Sequence, residues 1–229
     1  MTLYKIINGD CREILASLVN KNTIIVTDPP FNIGYKYNGY EDRKPKNEYL
    51  KMVGGVLAVA PCVIVLYPEE LIRVSVYTRK VPTRVIEWVY NSNTRRQHRS
   101  IGFYNVMPDF SKVKQPYNNP NDARVKKLIE KGSKGANIYD WWVVNQVKNV
   151  SEEKTPHPCQ MPYEVMDRII KMLPEDANII DPFCGSGTTG VACVKNGRDF
   201  VGVEIVEEYA DIAKARIAKA IDEIRRTNE

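Results

Sequence analysis

The sequence predicts an α/β fold, and three observations carry that reading. Short apolar runs of strand length recur along the chain, stretches with helical spacing separate them, and one run ends in a glycine-rich turn before a further helix. With 229 residues, 43% hydrophobic and 27% charged, the chain can bury one large core. Residues 1–229 are therefore expected to form a single domain.

Six runs qualify as strands by length and by their content of Ile, Val and aromatic residues: Tyr4–Asn8, Ile24–Asp28, Val63–Tyr67, Val85–Tyr90, Asn178–Asp181 and Phe200–Glu204. Between Met161 and Leu173, the residues Val165, Met166, Ile169, Ile170 and Leu173 form a helical stripe, and Pro162 suits the first turn of that helix. Tyr209, Ile212, Ala213, Ile217, Ile221 and Ile224 repeat the period in the last segment. Residues 91–160 read differently. SNTRRQHRS, KQPYNNPND and EKGSKGAN are rich in Asn, Pro, Gly and basic residues and have weak periodicity. A stretch of this kind inside an ordered sheet is expected to be a functional insertion, with 91–150 as the part that meets a target. NGYEDRKPKNEY, residues 38–49, reads as a second loop.

The formal net charge is +5, yet residues 91–150 hold eleven Lys/Arg against four acids, so the remainder is net acidic. Such a cluster is either a solvated face or a polyanion-binding surface. The second reading nominates Arg95, Arg96, Arg99, Lys112, Lys114, Lys126 and Lys127, with Arg99 alternatively shaping a pocket. The five cysteines form no C-x-x-C pair and have only His98 and His157 to assist them. No metal site is expected, and reduced thiols in a cytosol are. No apolar run approaches the roughly 20 residues of a membrane span, and no leader opens the sequence. A soluble protein that stays in the cytoplasm of its cell, or of a virus-infected host, is the expectation.

Two motifs carry chemistry. DPFCGSGTTG, residues 181–190, sits between a strand and an apolar helix, so its glycines permit close backbone approach and its free N–H groups favour a negative group. FVGVEI then puts Glu204 at the end of the next strand, where an acid can bind ribose hydroxyls. The pattern describes a nucleoside half-site, although it is neither a GxGxxG fingerprint nor a phosphate loop. IIVTDPPF, residues 24–31, ends a strand in a rigid corner. Pro29 and Pro30 remove two N–H donors and leave carbonyls free to accept, Asp28 adds a carboxylate, and Phe31 offers a flat surface. That array suits an aromatic amine such as a nucleobase edge; the bland alternative is a stiff strand-to-loop corner.

Together DPPF and FCGSGTT resemble the signature of the S-adenosylmethionine-dependent DNA amino-methyltransferases, and their order resembles the beta class. INGDCREIL (7–15), HPCQMP (157–162) and GRDFVGVEI (197–205) resemble further elements of that family, with Cys159 and Met161 departing from its HPTQKP pattern. The resemblance implies a Rossmann-like methyltransferase fold with a seven-stranded, mostly parallel sheet, helices on both faces and permuted motif order. It implies S-adenosylmethionine as cofactor, held by Asp10, Cys11, Asp28, His157, Asp181, Phe183, Gly185, Gly187, Thr188 and Glu204. Asp28, Pro29, Pro30 and Phe31 would act on the target amine of a base flipped from double-stranded DNA, which the basic residues above would contact. Adenine N6 is the expected target because an aspartate precedes PPF. Cytosine N4 is the nearest alternative and a catalytically silent DNA-binding module a third reading. RNA, protein-glutamine or cytosine-C5 methylation and a nicotinamide dehydrogenase are more distant. A homodimer and a restriction endonuclease partner are compatible with the resemblance.

Overall fold

The computed structural model describes residues 3–228. In chain order its elements are β1 (Tyr4–Asn8), α1 (Cys11–Leu18), β2 (Thr23–Thr27), β3 (Lys36–Tyr37), β4 (Tyr40–Glu41), α2 (Lys46–Val59), β5 (Cys62–Leu66) and α3 (Pro68–Thr78). There follow β6 (Arg84–Val89), β7 (His98–Tyr104), β8 (Lys114–Gln115), α4 (Ala123–Glu130), β9 (Ala136–Asn137) and β10 (Trp141–Val143). The chain closes with α5 (Tyr163–Lys171), β11 (Asn178–Asp181), α6 (Thr188–Lys195), β12 (Phe200–Glu204) and α7 (Glu207–Asn228). The six expected strands are present with ends within a residue of their expected bounds.

One eight-stranded sheet, in the order β1-β12-β11-β2-β5-β7-β6-β10, organises the molecule. Every neighbouring pair is parallel except β7, which runs antiparallel to both β5 and β6. The sheet has one strand more than the resemblance implied, because Trp141–Val143 adds to the outer side of β6. The central strands are buried throughout, and their period of two divides them between two cores. Ile24, Val26, Val63 and Val65 face the layer of α5, α6 and α7, while Ile25, Cys62, Ile64 and Leu66 face α1, α2 and α3. Among the described residues, no helix is long and apolar enough to cross a membrane.

The insertion expected at 91–150 is corrected in its extent. His98–Tyr104 is a strand inside the sheet, and Trp141–Val143 is its edge. The excursion proper lies between them, and it leaves and returns at the end of the sheet opposite the carboxyl ends of the parallel strands. Arg84, the first residue of β6, pairs with Asp140 at 2.8 Å, and Lys112 pairs with Glu175 just ahead of β11 at 2.8 Å.

Candidate active site

A crevice opens where the sheet's connections diverge, between β11 and β2, at the carboxyl ends of the parallel strands. One cavity runs from Gly9–Arg12 after β1, past Glu204 and Cys184–Ser186, to Asp28–Phe31 after β2. Its remaining wall includes Tyr37, Tyr40, His157, Cys159, Met161 and Tyr209. The two motifs singled out in the sequence, distant along the chain, thus form opposite ends of one space.

At the first end, Asp10 caps α1 by accepting from the Arg12 amide at 2.9 Å, and the Arg12 side chain grips both carboxylate oxygens. This bonding to Arg12 holds the Asp10 carboxyl below the usual carboxylate range. Cys11, beneath it, is a buried thiol pushed up to about 12 by burial, and so un-ionised at neutral pH. Glu204 accepts from the Gly185 and Val206 amides, each at 2.9 Å. Burial raises its carboxyl despite those bonds. Each Glu204 oxygen retains a second lone pair, so the fixed carboxylate can still accept from a hydroxyl in the cavity.

Gly185 has φ +49°, and a Cβ there would lie 3.0 Å from His157 Nε2. The imidazole forms a roof over the glycine turn, held edge-on by Tyr209 with ring centroids 4.5 Å apart. Burial, with Lys154 and Arg216 nearby, pushes His157 down to about 4, so the ring is neutral at physiological pH. Its Nδ1 is buried without a partner. A backbone cradle under an unfilled polar ring, with a fixed acid alongside, fits a small cofactor that carries a nucleoside at one end and a polar tail at the other.

The far end is the DPPF corner. Asp28 Oδ1 is buried with no hydrogen-bond partner, and Oδ2 faces Arg99 Nη1 at 3.6 Å. Burial pushes this carboxyl up to about 7, with Asp181 adding to the shift and Arg99 opposing it. An unpartnered buried acceptor costs stability, which is tolerable where a substrate donor completes it.

The sequence profile of the family described as DNA methylase matches residues 80–215, more than half of the chain. The chain belongs to that family. Type II methyltransferase M.BglII of Bacillus subtilis is 29% identical to it, covering 96% of this chain and 71% of the relative. For M.ScaI of Streptomyces caespitosus the figures are 30%, 92% and 80%. For the DNA adenine methyltransferase YhdJ of Escherichia coli (strain K12) they are 25%, 93% and 82%. Among solved structures, the M1.HpyAVI–SAM complex has a TM-score of 0.63 at 20% identity, covering 94% of this chain and 100% of that one. The cytosine-N4-specific PvuII DNA methyltransferase has a TM-score of 0.68 at 16% identity, covering 98% and 93%. At such identities these structures speak to the fold.

In this DNA methylase, two residues expected to touch a cofactor lie behind the cavity wall instead. Asp181 is buried and accepts from Thr27 Oγ1 and Thr189 Oγ1 at 2.6 Å and from the Phe183 amide at 3.1 Å. It ties the end of β2 to the start of α6. Gly187, with φ +76°, lets α7 approach, since a Cβ would sit 2.8 Å from Ala213 Cβ. Asp10, Cys11, Asp28, His157, Phe183, Gly185, Thr188 and Glu204 all line the cavity. Phe31 lines it too but is 9% exposed, with Arg99 Cζ 4.5 Å over its ring and Tyr67 at 4.9 Å. It is an edge of the pocket rather than an open stacking surface.

The basic cluster does not form one surface. Arg95 and Arg96 are exposed on the β6–β7 turn at the cavity end, Arg96 lying over the Tyr67 ring at 4.4 Å. Arg99 is withdrawn into the protein, with 11% of its side chain exposed. Lys112 and Lys114 are exposed at the opposite end, and Lys126 and Lys127 lie on α4, within the excursion rooted there. The cause is β7: running antiparallel, it carries the excursion between Tyr104 and Trp141 away from the cavity.

Sequence reading also missed Asp42. Its buried carboxylate accepts from the amides of Asn32, Ile33 and Tyr35 at 2.8, 3.2 and 3.0 Å, curling the chain after Phe31. The β3–β4 hairpin then brings Tyr37 and Tyr40 over the cavity. Its signal was present, since Asn38-Gly39 is a two-residue hairpin turn.

Proposed function

We propose that this DNA methylase binds S-adenosylmethionine in the cavity and transfers its methyl group to the N6 amine of adenine in double-stranded DNA, the target base being turned out of the helix. The observation that carries the reading is the buried, unpartnered Oδ1 of Asp28, a residue that lines the same cavity as the Glu204–Gly185 half-site. Bound there, the cofactor would supply an electrophilic methyl group on a sulfonium, the S–C bond breaking as the N–C bond forms and the sulfur leaving as a neutral thioether. Asp10 and Cys11 would bound its adenine, Glu204 would hold its ribose, and Gly185, Thr188 and His157 would enclose the amino-acid end. A neutral His157 adds no charge repulsion beside a sulfonium.

Asp28 accepts one N–H of the target amine and the Pro29 carbonyl accepts the other, which localises the nitrogen lone pair. After transfer, the proton left on nitrogen passes to an Asp28 oxygen, and a carboxyl near pH 7 suits that exchange. No covalent bond to the enzyme is required, so the cavity's Cys159 acts as a wall. Turning out the base costs a few kcal/mol, and the apolar rim of Phe31, Tyr37 and Met161 offsets part of it. Arg95 and Arg96 supply phosphate contacts beside the cavity. Residues 1–229 act as one domain, with the excursion after β7 as an accessory segment.

The reading of adenine over cytosine rests on the aspartate before PPF and on similarity to an adenine methyltransferase. Nucleoside mass spectrometry of duplex DNA incubated with protein and cofactor tests it. N6-methyladenine is expected. N4-methylcytosine would correct the base and keep the site, whereas label confined to RNA or protein would overturn the substrate class.

A further inference from the structure

Arg99 was expected among phosphate contacts, and its surroundings point elsewhere. It enters from the second residue of β7 and does not line the cavity, lying behind both Phe31 and Asp28. Its Cζ stands 4.5 Å from the Phe31 ring, 5.2 Å from Trp88, 5.6 Å from Tyr67 and 5.9 Å from Tyr90. Nη1 lies 3.6 Å from Asp28 Oδ2 and 3.5 Å from Met161 Sδ, and Nε is buried without a partner. A desolvated guanidinium among four rings is held by their π faces as well as by its one carboxylate.

We propose that Arg99 is a positioning residue for the target pocket, fixing the Phe31 ring and holding the Asp28 carboxylate charged and oriented toward the cavity. The proposal rests on the reading of Asp28 as acceptor of the target amine. The groups facing Asp28 come from five elements: Arg99 from β7, Asp181 from β11, Tyr37 from β3, Tyr49 from α2 and Cys159 from the segment before α5. Arg99 is the cation among these. Without it, burial and Asp181 both act to protonate Asp28, and nothing in that set opposes them.

The planar fork matters as well as the charge. Lysine could restore a positive charge near Oδ2, but it could not cover Phe31 with a flat group. Arg99→Gln and Arg99→Lys therefore separate the two roles. Substitution is expected to raise the Asp28 midpoint by about 1–3 pH units in the Gln variant, the range for a carboxylate losing a neighbouring arginine. The Lys variant should stay near wild type in midpoint but lose kcat at every pH.

The test follows the Asp28 carboxyl by carbon NMR of aspartate-labelled protein, alongside the pH profile of kcat/KM and calorimetric binding of S-adenosylmethionine. A rise in the NMR midpoint, matched by the acid limb of kcat/KM and with cofactor Kd within about threefold of wild type, supports the proposal. An unmoved midpoint in Arg99→Gln overturns it, as does a loss of activity equal at all pH values in both variants. Should Arg99→Gln fail to fold, Arg99→Lys decides alone: a wild-type kcat refutes the positioning of Phe31. A wild-type Asp28 midpoint near 7 with no transfer to any DNA would instead sink the functional reading and leave the electrostatic role standing.

Discussion

Replacing Asp28 by asparagine should abolish methyl transfer and, at alkaline pH, make the protein more stable. The side chain keeps its shape and loses its charge. In the folded protein the Asp28 carboxyl is pushed from 3.8 to about 7, chiefly by burial. Each pH unit of displacement corresponds to about 1.4 kcal/mol, so ionised Asp28 weakens folding by ~4 kcal/mol above pH 7. The attraction of Arg99 is already contained in that figure. Because the folded value is raised, the favourable contribution is complete below the unfolded pKa and is lost as pH rises through the folded one. Urea unfolding of wild type and Asp28→Asn at pH 8, 6 and 4 reads the difference directly, provided the m-value is unchanged. The variant should exceed wild type by several kcal/mol at pH 8, and the gap should shrink to under about 1 kcal/mol by pH 4. Equal stability at pH 8, or a gap constant across the series, would refute a strained acceptor at this corner.

Three further outcomes are expected. Glu204→Ala should weaken S-adenosylmethionine binding by calorimetry at least tenfold while leaving the fold cooperative, since it removes both a cavity acceptor and the acceptor of the Gly185 amide. Gly187→Ala should lower stability by about 1–3 kcal/mol in thermal or urea unfolding, because a Cβ meets Ala213 at a positive φ. Arg95→Ala with Arg96→Ala should make the slope of log DNA affinity against log salt shallower by about 0.9 per lost phosphate contact. Lys112→Ala, at the other end of the sheet, should leave that slope unchanged.

The centre of the parallel sheet was legible because β2 and β5 are buried on both faces and read as unbroken apolar runs. His98–Tyr104 was not, and the reason is local. Gly102 weakens the strand pattern, yet a Cβ there would lie 2.8 Å from Leu71 Cδ1, so the packing of α3 demands it. Trp141–Val143 is short and half exposed, its alternate residues Trp141 and Val143 facing outward. At the site, cavity-lining residues inside the motifs, such as Asp28, Gly185 and Glu204, were recognisable from motif chemistry, whereas Tyr37, Tyr40 and Tyr209 carried no such signal. Residues that brace the cavity were not recognisable either: nothing in DPF distinguishes an aspartate touching a ligand from one tying Thr27 to Thr189. The depth of Arg99 was equally hidden, because a basic run does not reveal which member turns inward when a strand begins within it.

The pairing of the first strand with the last also governs how the molecule emerges from the ribosome. Tyr4 of β1 meets Phe200 of β12, and β2 takes β11 as its other neighbour. At ~5–20 residues per second, β1 waits on the order of ten to forty seconds for its partner. The sheet neighbours already made by then are β2-β5-β7-β6-β10, and β2, an Ile/Val strand, would be their open edge. A nascent chain halted before Asn178 would therefore carry a sticky border and no grip on the methyl donor. With the donor held by Gly185 and Glu204 as proposed, its site would be complete only after β12 is made, and cofactor present during translation would bind the finished sheet and not its precursor.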